Sequence, residues 1–565
     1  MKALLTAVNS KYIHSNLAVY NLKKYAEEIT NVDIEIAEYT INQPINKIMM
    51  DIYKKQPGVV FFSCYIWNRE EVKQLVQNLS KVKPELDIWL GGPEVSYNAE
   101  ETLADITGAK GVLKGEGEAV FAEVVKAYAE DSSDERLEVI EHIAFRNNKG
   151  EVINTERNTQ LDIDSVPFAY DNLDEFQNRI IYYESSRGCP FRCSYCISSI
   201  DKSLRFRNLD KVKSELKFFI DHNVKQVKFI DRTFNCNDEH AQEIWKFIKD
   251  NDNGITNFHF EIAADIISDS CMELLESMRP GQVQLEIGVQ STNPETLKEI
   301  RRPMYFDKVA ETVNRIKGFD NTHLHLDLIA GLPYEDMISF EKSFNDVFKL
   351  RPEALQLGFL KVLKGTYMEE MSEEYGLKCT DVPPYEVLRT KWISYEEIIR
   401  LKMIEEMLEV YYNSGQFVTS IELLLTAFTS PFRLFEELAV WYQDEGQDMI
   451  NLSRNSRYEN LLKFGRAYVS EDELLECLVY DYYARENVKT RPEFFGEETV
   501  EKDYAKEFYN REAENHTVLT SPECQSADMR TLRRLTHIEK IKDVYYLFDY
   551  TQRSPMTGNA KIVKL

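Results

Sequence analysis

Short apolar strands alternate with helix-length segments twice along this chain, and that alternation constrains the fold more than any other feature. In the first 130 residues the strands read as 2–8, 34–37, 59–63, 88–90 and 112–114, with helical stretches near 16–28, 44–55, 68–80 and 116–129. A parallel crossover needs a dozen or more residues, which a helix supplies, so strand–helix alternation implies a parallel α/β sheet. Residues 1–135 are expected to form a Rossmann-like, doubly wound domain that binds ligands beyond the carboxyl ends of its strands. A second alternation has strands at 180–185, 226–231, 258–262, 283–289, 323–330 and 354–360. Its six βα units predict a partial (β/α)6 barrel over residues 176–375. Val212, Leu216, Phe219 and Ile220 share one face of its first helix, with Asp210 expected as the cap. Residues 136–175 read as a connector, after a polar break at Asp131-Ser132-Ser133-Asp134 and with a hairpin turn at 146–150. Residues 376–565 read as mostly helical with terminal strands. Ser394 and Glu397 form a capping box there, Ser430-Pro431 opens another helix, and Gly558-Asn559 marks a turn.

Composition narrows the function. At 565 residues the chain is long enough for several domains. Its formal net charge of −27 repels phosphate backbones, so nucleic acid is not an expected partner. No apolar run approaches the length of a membrane span, and the apolar start at 1–8 is too short for a signal peptide. A cytoplasmic protein is expected. Of nine cysteines six are scattered singly, whereas Cys189, Cys193 and Cys196 crowd into eight residues. In a reducing compartment that pattern points to metal or redox chemistry rather than to disulfides.

The three cysteines follow the first barrel strand directly, in Ser186-Arg187-Gly188-Cys189-Pro190-Phe191-Arg192-Cys193-Ser194-Tyr195-Cys196. A structural zinc knuckle would want a fourth ligand, and no Cys or His lies nearby in sequence; an unliganded loop is the other alternative. The C-x3-C-x2-C spacing, with an aromatic before the last cysteine, resembles the signature of the radical S-adenosylmethionine (SAM) superfamily. The resemblance implies a [4Fe-4S] cluster with one iron on each thiolate and the fourth chelated by SAM. It also implies roles for residues at later strand ends. Asp231 and Thr233 stand where relatives contact the methionine amine. Gln290 and Ser291 stand at the ribose, Arg301 or Arg302 at the carboxylate, and Gly331 at the adenine.

The first domain resembles the cobalamin-binding domain that precedes many of these enzymes. Ser63 ends one strand, Gly91-Gly92 follow the next, and Gly115-Glu116-Gly117-Glu118 open the last helix. That resemblance implies cobalamin contacts from Ser63, Gly91, Gly92, Gly115 and Glu116. His14 occupies the histidine place of a D-x-H-x-x-G motif whose aspartate and glycine are missing here. The resemblance covers residues 1–365; the remainder resembles an uncharacterised extension found on one subgroup. It implies a radical SAM enzyme that transfers a methyl group to an unactivated carbon of an unknown substrate, supplied with electrons by a flavodoxin or ferredoxin. The alternatives are a non-methylating rearrangement, cyclisation or oxidation, and a non-catalytic cobalamin-binding protein.

Overall fold

The computed structural model describes every residue except 132, 157–159, 201–202, 448–451, 489 and 498–499. Ser132 of the expected polar break lies outside the described residues. The first sheet has seven strands, and its five parallel ones, Lys2–Asn9, Asp33–Thr40, Val59–Ser63, Asp87–Gly91 and Gly111–Leu113, lie in the order 2-1-3-4-5. The order reverses between the first and third strands, which opens a crevice beyond Asn9 and Ser63. Separate apolar cores, one around Val60, Phe62 and Leu75 and the other around Phe61, Trp89 and Phe121, cover the two faces. The hairpin Ile143–Arg146 and Val152–Asn154 pairs antiparallel onto the sheet's edge.

The second sheet consists of six parallel strands in sequential order: Ile181–Tyr183, Gln226–Phe229, Asn257–Ile262, Val283–Gln290, Thr322–Ala330 and Ala354–Phe359. Its fourth and fifth strands alternate strictly between buried and half-buried residues. The apolar set, Leu285, Ile287, Leu324 and Leu326 among it, faces the helices, and the polar set faces the barrel interior. The first barrel helix, Leu209–Asp221, is capped by Asn208, whose side chain accepts from the Asp210 and Lys211 amides. Asp210 is therefore not the cap but sits inside the first turn, where its charge still suits the helix dipole.

The carboxyl-terminal helices are not packed as an independent body. Phe344 of the barrel helix Met337–Phe348 meets Phe432 and Phe435 edge to face, and Phe348 packs at a tilt on Phe435 and Tyr412, so barrel and extension share one apolar core. The capping box of helix Tyr395–Leu408 is formed, and a three-stranded antiparallel sheet closes the chain. Among the described residues no helix is long and apolar enough to cross a membrane.

Buried Asp481 ties two helices of the extension together by accepting from the Thr419 and Ser420 amides at 3.0 and 2.9 Å and from both hydroxyls. Removing it leaves the two amides and the buried Ser420 hydroxyl without that acceptor, while the Thr419 hydroxyl keeps the Cys477 carbonyl. Asp481→Ala is expected to destabilise the chain by about 3 kcal/mol in urea unfolding.

Candidate active site between the two sheets

The carboxyl ends of both parallel sheets face one cavity of ≈ 1360 Å³. One wall carries His14, Ser63, Gly91, Gly92, Gly115 and Glu116; the other carries Glu184, Arg187, Gly188, Lys228, Arg232 and Glu261. Tyr65 and Trp67 on the first wall stack with ring centroids 4.3 Å apart and planes 8° from parallel, a flat apolar surface that no sequence pattern announced.

The cysteine loop leaves the first barrel strand through Gly188, whose φ of +99° is a left-handed conformation. A Cβ there would meet the Ser203 carbonyl at 2.0 Å, so only glycine fits. Cys189 Sγ lies 3.5 Å from Thr233 Oγ1. The buried Cys193 receives Arg302 Nη1 at 3.7 Å. Burial pushes the Cys193 thiol up, and the guanidinium opposes that shift. Neighbouring elements pin the loop's backbone: Ser194 N donates to Ile300 O at 2.9 Å, and Met368 N donates to Ser194 O at 2.9 Å. Among the described residues no three His, Cys, Asp or Glu side chains converge on one ion.

Arg187, two residues before Cys189, binds this loop to the first domain. Its guanidinium reaches Glu116 at 3.1 Å, Glu118 at 2.7 Å and Glu184 at 2.7 Å. Arg205 stands opposite Arg187 in a two-residue antiparallel ladder, a pairing of like charges that would repel on its own. Glu116 bridges both arginines, at 2.6 Å from Arg205. Burial raises the Glu116 carboxyl, but the Arg205 hydrogen bond and the two positive charges outweigh it and bring it down to about 2.

The residues expected at SAM are divided by the structure. Thr233, Gln290 and Arg302 gather around the cysteine loop and the fourth-strand end. Arg302 Nε and Gln290 Oε1 are buried without a partner, and Arg302 also donates to the Gly288 carbonyl. Asp231 and Ser291 are wholly buried and turned elsewhere. Asp231 accepts from the Ser185 amide and from the Ser185 and Ser186 hydroxyls at 2.6–2.9 Å, anchoring the strand that leads into the cysteine loop. Ser291 donates to Glu335 at 2.6 Å. Arg301 lies outside that group, 3.6 Å above the Tyr367 ring. Gly331, with φ of +86°, ends the fifth strand against Val387. Cys236 closes the turn after Phe234, and burial raises its thiol to about 11.

In the first domain Ser63 Oγ accepts from Asn16 Nδ2 at 3.2 Å. Gly92 has φ of +112°, and a Cβ there would meet the Cys64 carbonyl at 2.5 Å. His14 Nδ1 lies 2.6 Å from the Tyr182 hydroxyl, so a barrel residue orients the ring in place of the missing aspartate. A partner 168 positions away leaves no local sequence signal.

The barrel interior holds a polar set that the sequence reading overlooked. Lys228 and His259 both reach Glu286, at 3.1 and 2.9 Å, and His325 lies 3.2 Å from Asp327. Burial raises Glu286, but the His259 hydrogen bond and Lys228 overcome it and lower the carboxyl to about 2. Glu261, facing the cavity, is raised by burial to about 7, and Asp327 is pushed well up by burial and the nearby carboxylates. One carboxylate is thus favoured in its ionised form beside two whose ionisation burial disfavours. Parallel strands covered on both faces normally read as continuous apolar runs. The alternation His323-Leu324-His325-Leu326-Asp327 was the available signal.

Three families match successive parts of the chain: the B12 binding domain over residues 4–125, the Radical SAM superfamily over 183–347, and a Protein of unknown function (DUF4080) over 373–563. The chain carries a B12-binding domain followed by a radical SAM domain. It is 24% identical over 384 residues to an uncharacterized methyltransferase of Pyrococcus horikoshii, spanning 65% of this chain and 81% of the relative. To the cobalamin-dependent radical SAM methyltransferase TokK of Streptomyces tokunonensis it is 21% identical, spanning 63% of this chain and 55% of TokK. Among solved structures, the cobalamin-dependent SAM radical enzyme OxsB superposes with a TM-score of 0.58 at 15% identity, over 85% of this chain and 78% of OxsB. That likeness shows the shared fold.

The radical SAM and B12-binding domains imply a [4Fe-4S] cluster, SAM and cobalamin as cofactors. The residues present suit them. Three thiols on one loop match the cluster, and the unpaired Arg302 Nε and Gln290 Oε1 beside them leave polar valences for a ligand. The cavity exceeds the roughly 300–1,000 Å³ of ordinary small-molecule pockets.

Arg187→Ala leaves the buried Glu118 and the half-buried Glu116 and Glu184 without their shared cation, at an expected cost of about 3 kcal/mol. The depressed Glu116 carboxyl contributes stability that is complete above about pH 4.5, its ordinary value, and is lost as pH falls toward 2. Urea midpoints measured at descending pH are expected to fall more shallowly for Glu116→Gln than for the native chain.

Proposed function

We propose that this chain is a cobalamin-dependent radical SAM methyltransferase, acting on an unactivated carbon of a substrate held between its two sheets. The observation that carries the reading is the single cavity onto which the cysteine loop's flanks, Gly188 and Ile197, and the first domain's glycine loops, Gly91-Gly92 and Gly115, both open. The methyltransferase names of the relatives, of which TokK extends well beyond the matched part, support the same assignment.

Cys189, Cys193 and Cys196 would hold three irons and leave the fourth for SAM. Arg302 offers a buried guanidinium beside the cluster, suited to the SAM carboxylate, since its fork pairs with both oxygens. Gln290 and the backbone at Gly331 would border the nucleoside, and Thr233 would stand between Cys189 and the methionine amine. Asp231 and Ser291 would act on SAM only through the loops they anchor. Ser63, Gly91, Gly92 and Gly115 would line the corrinoid side, with Tyr65 and Trp67 as an apolar platform. His14, oriented by Tyr182, and Glu116, engaged by two arginines, would border it. When bound, the cofactors supply a carbon-centred radical that removes hydrogen and a methyl group that replaces it. The chain's own part is to exclude water, to align substrate between two fixed walls and to let Glu261 exchange a proton near neutral pH. A flavodoxin or ferredoxin would supply electrons, and the unpaired thiols suit the reducing cytoplasm.

The test is anaerobic reconstitution with and without cobalamin, followed by SAM and a strong reductant. Mass spectrometry should find 5′-deoxyadenosine and cobalamin-dependent S-adenosylhomocysteine, both absent from the Cys189→Ala/Cys193→Ala/Cys196→Ala variant. Deoxyadenosine without the homocysteine product would favour a non-methylating radical reaction. Failure to assemble a cluster would refute the radical assignment.

A further inference from the structure

We propose that the carboxyl-terminal extension braces the corrinoid side of the cavity from behind, with Tyr385 as a positioning residue that fixes the glycine loop at Gly91–Glu94. The inference rests on the reading of the cavity as a cobalamin site and assigns a part in it to a domain whose family description states none.

The extension doubles back along the end of the sixth barrel strand. Val362 N donates to Tyr385 O at 3.0 Å, and Val387 N donates to Leu360 O at 2.8 Å. The backbone of Tyr385 is thereby clamped on both sides, and it adopts φ of +53°. From this position the Tyr385 hydroxyl crosses to the first domain and donates to Glu94 Oε1 at 2.5 Å. Both side chains are buried, and they lie 291 positions apart in sequence.

Glu94 holds more than itself. It sits in the one-turn helix Pro93–Ser96 that follows Gly92. Its amide donates to Cys64 O at 3.4 Å, and Cys64 N donates to Gly91 O at 2.7 Å. Ser96 Oγ donates to Gly92 O at 2.7 Å and accepts from Gly115 N at 3.1 Å. The loops after the third, fourth and fifth strands therefore form one hydrogen-bonded rim, and that rim lines the cavity. Arg69 approaches Glu94 no closer than 3.6 Å and is engaged by Asp105 at 2.8 Å. Tyr385 is thus the closest hydrogen-bond donor to this buried carboxyl. Two residues further on, Val387 packs on Gly331, so the same stretch of extension touches the barrel's fifth-strand turn.

If this stretch were only a surface strap, losing one hydroxyl from it would leave the cofactor unaffected. As a positioning device it should control corrinoid retention while the cysteine loop, held by Arg187, Ile300 and Met368, stays intact. The experiment titrates hydroxocobalamin into the full-length, cluster-reconstituted chain and into Tyr385→Phe, Glu94→Gln and the double variant. Binding is read by absorbance, with iron content and Tm alongside. Tyr385→Phe and Glu94→Gln are each expected to raise Kd about tenfold with iron content unchanged and Tm lowered by only a few degrees. The double variant should bind no worse than either single one, because both remove the same contact. The proposal fails if Tyr385→Phe binds like the native chain, if the two substitutions are additive, or if iron is lost along with corrinoid. A native chain that does not bind hydroxocobalamin overturns the reading of the cavity itself and the inference with it.

Discussion

Two positive charges side by side at the root of the cysteine loop set the requirement that the rest of the site answers. Arg187 and Arg205 face each other across a short ladder where water is largely excluded, and neither is stable there without anions. Glu184 comes from the barrel, but Glu116 and Glu118 come from the first domain. Charge neutrality at the loop therefore demands that the domains dock with one particular face together. That face brings the carboxyl ends of both sheets against a single cavity. The glutamates that resemble a cofactor motif in sequence serve here first as the anionic half of the joint.

The barrel interior shows the same economy of charge. An ionised Glu286 is matched by Lys228 and His259, while burial and that neighbour both disfavour a further negative charge on Glu261 and Asp327. Arg302 is the exception. It is a buried cation with an unpaired nitrogen beside Cys193, where an anionic cluster and a carboxylate would be accommodated together.

Local pattern was sufficient for much of this. Every parallel strand was readable to within a few residues, because apolar runs bounded by turn residues have few other ways to bury themselves. The capping box at Ser394 and Glu397 was equally local. Asn208 was missed as a cap because Asp210, two residues on, carries the same signal. The interior of the barrel was missed for a different reason: attention to apolar residues in strands passed over the polar ones alternating with them.

By itself, the sequence determined the two parallel sheets, the loop that carries three thiols and the glycines that let backbone turn tightly at strand ends. These follow from short-range sterics and periodicity, which act within a few residues. Tertiary structure alone decided which of those residues face one another. Asp231 and Ser291 turned into the protein, Arg302 rather than Arg301 came to the cysteines, Tyr182 took up His14, and Tyr385 reached Glu94. The physical reason is that a buried charge or hydroxyl must find its partner in space, and along the chain these partners lie from about forty to nearly three hundred residues apart.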